Sequence, residues 1–267
     1  MSASRTLRAM PTLLRVGVAE TVAYRGEFLV WILTTTQPLI MMALWTAVAR
    51  DGSFGGYTAA DFTAYYLATL IVRQLTGNWV AWQMSEEMRS GALSMRLLRP
   101  IHPFYAYAAS HIAAIPFRSA IALPLIVILL VTSGGHELAS DPLQLAAIVP
   151  SLALAWFLTF MMLFVIGCLS FWMTQTFAIA NLYFGAYSLL SGYLLPLSLL
   201  PGVFRTAAAY SPFRFMQSAP VELMTRDLSH EQVGLIVGGQ LAWAAVLFGI
   251  ALVVWRAGVR RFEAVGG

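Results

Sequence analysis

The sequence has no lysine, a single cysteine and few charged residues of either sign. With only Cys168 available, the chain can form no internal disulfide. Charged residues account for 10% of its 267 residues, whereas an average soluble domain contains about 25%. Hydrophobic residues account for 59%, which is more than a water-soluble fold of this length can bury. The composition therefore excludes an ordinary soluble domain and predicts an integral membrane protein.

The shortage of charge also argues against nucleic-acid binding. The formal net charge is +4, and every basic residue is arginine. These arginines lie between apolar runs, whereas a nucleic-acid surface gathers basic residues into one patch. We therefore expect them at a lipid interface, and we expect no nucleic-acid partner.

Several catalytic motifs are missing. There is no Gly-x-x-x-x-Gly-Lys-Ser/Thr loop, which is the usual cradle for ATP phosphates. The pair His136-Glu137 has no second histidine at helical spacing, which excludes the zinc-protease pattern. Ser191 has no glycine two residues before it, so an intramembrane serine protease is only a minor alternative. We expect a non-catalytic chain that binds no metal or cofactor of its own.

Acidic residues are missing from the middle of the apolar runs. None of the 12 acidic residues lies where a proton relay or a cation-coupled carrier would keep one. Secondary carriers also tend to contain paired repeats within a longer chain, and no internal repeat is visible here. A carrier that works without ATP is therefore a lesser alternative.

Apolar runs long enough to cross about 30 Å of hydrocarbon as a helix occur six times. They cover residues 28–49, 62–82, 104–133, 145–172, 176–199 and 232–255. The third and fourth runs exceed one upright crossing, so part of each is expected to tilt or to lie in the interface. Pro116 and Pro124 are expected to kink the third run. The pattern predicts an all-α membrane protein, with one transmembrane domain of six helices over residues 1–267.

Arginine distribution predicts the orientation of these spans. Six spans place both termini on the same side, and the positive-inside rule assigns that side to the cytoplasm. The arginines then expected in the cytoplasm are Arg5, Arg8, Arg15, Arg25, Arg89, Arg96, Arg99, Arg256, Arg260 and Arg261. Those expected outside are Arg50, Arg205, Arg214 and Arg226.

Two segments outside the spans are expected to contact the membrane surface. Residues 4–26 carry an apolar stripe that predicts an interfacial helix, with a basic flank that only sets topology as the alternative. The stripe consists of Leu7, Met10, Leu14, Val18 and Val22. Residues 200–231 mix prolines and aromatics, so they are too apolar for a free loop and too broken for a crossing. We expect short re-entrant helices in the outer leaflet there, with interfacial aromatics as the alternative.

The cytoplasmic loop at residues 83–103 is the most informative segment. Ser85 is expected to cap a short helix, with Glu86 and Glu87 at the positive end of its dipole. Gly91 is expected to supply either a tight turn or a C-terminal cap, and two later prolines stop the helix. The loop is therefore predicted to be a rigid element that contacts a soluble partner, with a plain solvated loop as the alternative.

Two arginines lie inside apolar runs. An arginine in hydrocarbon costs at least about 2.5 kcal/mol, so each must face a partner, a water-filled cavity or the interface. Arg118 is expected to snorkel to the cytoplasmic surface. Arg73, next to Gln74, lies near mid-span and either lines a polar pathway or pairs with Gln37, Asn78 or a neighbouring subunit. The candidate substrate pathway consists of Arg73, Gln74, Gln37 and Asn78, and it does not include Arg118.

Several residues of the loop resemble a known family. They are Glu86, Arg89-Ser90-Gly91, Leu93 and Leu97-Leu98-Arg99-Pro100-Ile101. The segment is similar to the loop between the second and third spans in permeases of type-2 ABC (ABC-2) exporters, in a bacterial branch that often pairs two related permeases with one ATPase. Less specific likeness extends to Tyr24-Arg25-Gly26-Glu27-Phe28, Gln37-Pro38, Leu195-Pro196-Leu197, Trp255, Arg260-Arg261 and Gly266-Gly267.

The resemblance implies a permease that exports an amphipathic or hydrophobic substrate, such as a drug, lipid, glycolipid or peptide. Its implied partners are two cytoplasmic ATP-binding subunits that hold ATP and Mg, and a second permease that is the same chain or a paralogue. The implied location is the bacterial inner membrane, with both termini cytoplasmic. A membrane scaffold without a transport path is the main alternative. The residues implied to couple to the ATPase are Glu86, Glu87, Arg89, Ser90, Gly91, Leu93, Leu97 and Arg99.

Overall fold

A computed structural model describes residues 3–23, 37–132, 141–173 and 176–262. Within these ranges the regular structure is helical, and the one β-type pairing is an isolated bridge between Phe54 and Tyr57. The predicted all-α class is therefore confirmed. The predictions for residues 24–36, 133–140 and 263–267 lie outside the described residues, including the Tyr24–Phe28 motif, His136-Glu137 and Gly266-Gly267.

The described helices follow one another with short connections. In chain order they are α1 (Ala3–Ala23), α2 (Gln37–Val48), α3 (Ala59–Thr76), α4 (Val80–Arg89), α5 (Ala92–Leu97), α6 (Pro103–Ala113), α7 (Ile115–Thr132), α8 (Pro142–Cys168), α9 (Phe177–Leu190), α10 (Gly202–Tyr210), α11 (Pro212–Met216), α12 (Ser218–Thr225) and α13 (His230–Arg261). Two 3₁₀ turns occur at Leu169–Phe171 and Leu197–Leu199.

Two described helices are long and apolar enough to cross a membrane. One is α8 with its 3₁₀ extension, Pro142–Phe171, and the other is α13. They contain 30 and 32 residues, and they coincide with the predicted fourth and sixth spans. The helices α2 and α9 are apolar but shorter, and residues 28–36 of the first predicted span lie outside the described residues. The count of six spans stays a prediction.

The second predicted span is not one helix. It is divided into α3 and α4 by Gly77, Asn78 and Trp79. A capping box starts α3: Thr58 accepts a hydrogen bond from the Asp61 backbone N–H, and the Asp61 carboxylate accepts one from the Thr58 backbone N–H. The prediction of one continuous helix over residues 62–82 is therefore wrong, because hydropathy does not register an interruption of three residues.

The third and fifth predicted spans also differ from the structure. The third is split at Ala114, two residues before the expected kink at Pro116, while α7 continues through Pro124. The fifth ends as a helix at Leu190 instead of residue 199. Just beyond it, Gly192 has φ +87°, and an added Cβ would lie 2.6 Å from the Tyr65 hydroxyl. The turn therefore requires glycine both for its backbone and for space.

Two apolar clusters form the core. The larger one combines buried residues of α4, α8 and α13, among them Met84, Phe160 and Phe164. The smaller one combines residues of α3 with neighbours from α2 and α12. The border between the clusters coincides with the interruption between α3 and α4.

The predicted N-terminal helix is present as α1, and it packs against α6. The two helices approach closely at Gly17, where an added Cβ would lie 2.8 Å from Ala113 Cβ and 2.9 Å from Ser110 Cα. Val18, which belongs to the predicted stripe, is 39% exposed. The helix thus uses a glycine face, and not the predicted stripe alone, to contact the rest of the chain.

Three arginine-bearing segments lie at one end of the bundle: helix α1, the segment from α4 to α6, and the C-terminal part of α13. Helix α1 packs on α6, and the His102 ring at the start of α6 lies 5.2 Å from the Trp255 ring near the end of α13. We call this the Arg-rich end. The short helices α10, α11 and α12 lie within residues 200–231 and precede α13 at the opposite end. Their re-entrant placement in the outer leaflet stays a prediction.

Candidate functional site

The turn between α4 and α5, residues 85–99, lies at the Arg-rich end. Helix α4 continues through Ser85 because Met84 and Met88, one turn apart, are both buried in the larger cluster. Ser85 therefore does not cap a helix, and that prediction is wrong. Glu86 and Glu87 lie in the last turn of α4, not at the positive end of a helix dipole as expected.

Gly91 reverses the chain between the two helices. Its φ and ψ are 75° and 0°, in the left-handed region, and it stands at the N-cap of α5. Nothing lies within 4 Å of the position that a Cβ would take. The glycine is therefore required for its backbone conformation and not for space. It directly follows Ser90, the C-cap of α4, so it serves both as the expected tight turn and as the expected C-terminal cap.

Glu87 joins three helices. Its carboxylate accepts hydrogen bonds from Arg96 Nε at 2.8 Å and Arg96 Nη2 at 2.5 Å. It also accepts one from the Tyr107 hydroxyl at 2.6 Å and one from Gln83 Nε2 at 3.3 Å. The Arg96 guanidinium lies 4.6 Å above the Tyr107 ring. Because these partners come from α4, α5 and α6, the carboxylate fixes the angle at which the turn projects from the bundle.

Apolar side chains of the turn divide between two faces. Leu93 is fully buried, and Leu97 packs against the larger cluster. Met95 and Leu98 are 66% and 80% exposed. The inward leucines anchor the short helix, and the outward pair presents an apolar tip. Such a tip on a rigid base is suited to contact with another protein.

The remaining predicted coupling residues surround this tip. Glu86 and Arg89 form an exposed ion pair, and the Ser90 hydroxyl donates to the Glu86 carbonyl at 2.8 Å. Arg99 is also exposed. The structure thus brings all eight predicted residues into one turn, with half of them supporting it and half available at its surface.

His102 closes the turn where α6 begins. Its Nδ1 accepts a hydrogen bond from the Phe104 backbone N–H at 3.2 Å, which requires an unprotonated nitrogen. Burial lowers the pKa of His102 below its ordinary value. The neutral ring therefore serves as the N-terminal cap of α6. Sequence reasoning missed this residue, although a polar residue immediately before Pro103 is a recognised helix-start pattern.

Arg73 contacts the aromatic residues of the fifth predicted span. Its guanidinium lies 5.9 Å from the Tyr187 ring centroid, on the side of the bundle where Tyr193 also lies. Among the described residues, no hydrogen bond links it to Gln37 or Asn78, its predicted partners. The half-buried Arg73 therefore meets the α9 side of the bundle, where aromatic rings rather than amides surround it.

The other candidate pathway residues are distributed differently. Gln74 and Asn78 are 2% and 5% exposed and belong to the end of α3 and the interruption after it. Gln37 is half-buried at the start of α2. The structure therefore brings Gln74 and Asn78 close to Arg73 along the chain but does not assemble the four residues around one centre.

Arg118 is fully buried. Its Nη1 donates a hydrogen bond to the Gly77 carbonyl, and its guanidinium lies 5.0 Å from the Trp79 ring centroid. The expectation that it snorkels to the surface is wrong, because the end of α3 offers a carbonyl acceptor inside the bundle.

Three buried glutamines hold the segment before α13, and sequence reasoning missed them. Gln217 donates to the Thr69 carbonyl at 2.9 Å and accepts from the Tyr187 hydroxyl at 2.7 Å. Gln144 Nε2 donates to two carbonyls of the same segment, and Gln240 Nε2 donates to the Phe215 carbonyl at 3.0 Å. Isolated glutamines beside or within apolar runs were the available signal, since a buried amide must find partners.

A polar cavity opens at the end opposite the Arg-rich end. Its volume is about 450 Å³. Arg226 lies at its wall and donates a hydrogen bond to the Tyr57 hydroxyl. The lining residues are Gly55, Gly56, Tyr57, Asp61, Tyr65, Ser198, Thr225, Arg226 and Asp227. Nearby, Asp141 caps α8, and the hydrogen bond from the Gln144 backbone N–H lowers the pKa of that carboxyl.

The described side chains do not form a metal site. Within the four described ranges, no group of three histidine, cysteine or carboxylate residues is arranged to hold a metal ion. The single thiol, Cys168, is buried in the larger cluster. The distinctive features of the described residues are therefore a turn with an exposed apolar tip at one end and polar groups inside an apolar bundle.

Comparison with known protein families gives a match over most of the chain. A family model described as ABC-2 family transporter protein matches residues 32–266. The matched range contains the α4–α5 turn, Arg73 and the short helices before α13, and it leaves α1 outside. No curated protein matches the sequence.

Proposed function

The chain belongs to the ABC-2 family of transporter proteins, and from this premise we propose that it is the permease of an ATP-driven exporter in the bacterial inner membrane. Family membership makes it an integral membrane subunit of an ABC transporter, which works with an ATP-binding subunit. Our proposal adds outward transport, two such subunits carrying ATP and Mg, and a second permease that is identical or paralogous.

The α4–α5 turn is the observation that carries the proposal. Glu87 ties the turn to α4, α5 and α6, and Leu93 anchors it in the core. A movement applied to the exposed tip at Met95 and Leu98 would therefore move the helices behind it instead of bending a flexible loop. We propose that the tip docks in the ATP-binding subunit at the cytoplasmic face.

The arginine distribution supports the orientation. Arg89, Arg96 and Arg99 lie in the turn that joins α6, and α1 and the C-terminal part of α13 approach the same helix. A concentration of arginine at one end of a membrane bundle favours the cytoplasmic side. Both termini are accordingly proposed to be cytoplasmic, with the polar cavity near Arg226 on the outer side.

The aromatic surroundings of Arg73 support an amphipathic or hydrophobic substrate. Tyr183, Tyr187 and Tyr193 form a connected ring cluster beside its guanidinium. Rings of this kind offer apolar faces, and the cation offers one charged group. We propose that substrate passes along this surface between α3 and α9, with Gln74, Gln37 and Asn78 as secondary contacts.

Co-purification with enzymology tests the proposal. An ATP-binding subunit purified with the permease should hydrolyse ATP at a rate that the permease changes. Inside-out vesicles containing the complex should accumulate amphipathic fluorescent dyes or lipids with ATP, and not with a non-hydrolysable analogue. Uptake without nucleotide would favour the carrier alternative, and an ATPase rate indifferent to the permease would favour the scaffold.

A further inference from the structure

The interruption between α3 and α4 joins two helices whose buried residues belong to different apolar clusters, although both helices also contact α8. The buried residues of α3, such as Phe62 and Tyr66, belong to the smaller cluster. Those of α4, such as Val80 and Met84, belong to the larger cluster with α8. The residues between them, 77–79, belong to neither helix. A division between two packed units with a short non-helical connection is the usual anatomy of a hinge.

The connection is held by a side chain from a third helix. Gly77 follows the end of α3 with φ −59° and ψ 140°, so its carbonyl is outside the helical hydrogen-bond ladder. Arg118 of α7 donates to that carbonyl and covers the Trp79 ring. An exposed carbonyl inside hydrocarbon is costly. The guanidinium therefore stabilises the interrupted geometry of the span.

Other polar groups gather at the same place. The His111 ring lies 4.8 Å from the Trp79 ring and is 1% exposed. Both His111 ring nitrogens, Gln74 Oε1 and Asn78 Oδ1 make no hydrogen bond within the part of the chain that the structure describes. Buried polar atoms in this condition are rare in a settled core and are typical of sites that hold strain or rearrange.

We propose that residues 77–79 are the hinge of the second span and that Arg118 is the positioning residue that holds it. The role of this hinge in transport rests on the proposed function. In that role, movement of the α4–α5 turn would carry α4 with the larger cluster, while α3 stays with the smaller one. The hinge would thereby convert movement at the cytoplasmic face into a change beside Arg73, which lies one helical turn before Gly77.

Distance measurements on the permease alone test the hinge without any partner. Spin labels at the exposed positions Ala60 and Arg89, near the far ends of α3 and α4, report their relative arrangement in lipid nanodiscs. Arg118→Gln should shift or broaden this distance distribution by a few ångströms, whereas Arg118→Lys, which can still donate to Gly77, should retain the wild-type distribution.

A matched pair of labels controls for general loosening. Leu235 and Val253 are 67% and 68% exposed on the continuous helix α13, so their distribution should be the same in every variant. Arg205→Gln, at an exposed position on α10, controls for loss of an arginine. An unchanged Ala60–Arg89 distribution in folded Arg118→Gln would overturn the hinge.

A second variant keeps the test usable where Arg118→Gln does not accumulate. Gly77→Ala with Asn78→Ala favours helix across the interruption, so it should narrow the Ala60–Arg89 distribution and shift its mean. The same distribution as wild type in this variant would also contradict the hinge.

Coupling in the assembled transporter tests the role of the hinge. Arg118→Gln should leave ATP hydrolysis within about twofold and lower transport per ATP about tenfold, as expected for losing one charged hydrogen bond. If Arg118 had only a structural role, the substitution would lower ATP hydrolysis and transport together, in proportion to the yield of folded protein. If the label distance shifts but no ATPase associates with the protein, the hinge is retained and the proposed function is refuted. Failure of the hinge and failure of the proposed function are therefore distinguishable.

Discussion

At the scale of single residues, Glu87 is the side chain whose role differs most from its sequence expectation. It was expected to interact with a helix dipole, yet it binds Arg96 and Tyr107 across three helices. Its neighbour Glu86 has the same charge but is paired only with exposed Arg89. The two adjacent carboxylates therefore offer a matched comparison.

Glu87→Gln should destabilise the turn, whereas Glu86→Gln should not. The Glu87 side chain is 14% exposed, and loss of a charged hydrogen bond at such a position costs about 1.5–3 kcal/mol. The exposed Glu86 pair contributes at most about 1 kcal/mol. Thermal unfolding in detergent measures the stability, and transport per ATP measures coupling. Equal effects of the two substitutions on both measurements would contradict the assigned role of Glu87.

Gly91→Ala should impair the turn through its backbone. A residue with a Cβ costs about 1–2 kcal/mol in the left-handed conformation, and asparagine tolerates it better than alanine does. Because the space around Gly91 is open, Gly91→Asn should retain more transport per ATP than Gly91→Ala. Identical coupling in wild type and both variants would remove this conformation from the mechanism.

Mild acid should loosen the start of α6 through His102. Its pKa is lowered by burial, so the neutral ring favours the folded state. This contribution is complete above the ordinary histidine pKa of about 6.5, and it is lost as the pH falls through the lowered pKa. His102→Asn keeps an acceptor at the cap but does not titrate. Below pH 6.5 the melting temperature should therefore fall more steeply for wild type than for His102→Asn, and parallel profiles would contradict this.

Residue roles could be inferred from the sequence only where local geometry decides them. Gly91 was identified as a tight turn or a C-terminal cap because a glycine just after a charged helical segment commonly has that role. The roles of Glu87 and Arg118 depend on Tyr107 and Gly77, at 20 and 41 residues' separation. Such partners are brought together by packing, which one sequence does not reveal.

At the scale of helices, the three glutamines explain how the short helices α11 and α12 are held in place. Gln217 is fully buried and connects α12 with α3 and α9 through Thr69 and Tyr187. Since each bond joins segments distant in sequence, the amide fixes the depth at which these helices sit. The position of the segment therefore depends on polar contacts as well as on its buried apolar residues.

Gln217→Leu should destabilise the protein by about 1–3 kcal/mol, because the Thr69 carbonyl and the Tyr187 hydroxyl would lose their partner. Tyr187→Phe removes only one of the two bonds and should cost less. The double variant should cost less than the sum of the single variants, since they share a bond. Strict additivity in thermal unfolding would show that Gln217 and Tyr187 act independently.

Helices were predicted well where one apolar run forms one helix. The fourth and sixth spans match α8 and α13 because their runs are continuous and packed along each other. The second, third and fifth were misjudged because hydropathy averages over interruptions at 77–79, Ala114 and Ser191. Those interruptions are stabilised by tertiary partners such as Arg118 and Tyr65.

At the scale of the whole molecule, composition was sufficient for the class, and the loop resemblance was sufficient for the family. Both follow from properties that need no contacts: apolar content and a local motif. The family match over residues 32–266 confirms the resemblance. The composition of the assembled transporter could not be predicted from this sequence, because the partner surfaces lie on other chains.

The central claim is that the α4–α5 turn faces the cytosol, where an ATP-binding subunit can reach it. Leu98→Cys and Val203→Cys place thiols at opposite ends, at positions 80% and 83% exposed, in a Cys168→Ser background without the ATP-binding partner. A membrane-impermeant maleimide applied to intact cells should label Val203→Cys, and it should label Leu98→Cys only after permeabilisation. Labelling of Leu98→Cys in intact cells, with Val203→Cys protected, would contradict the account.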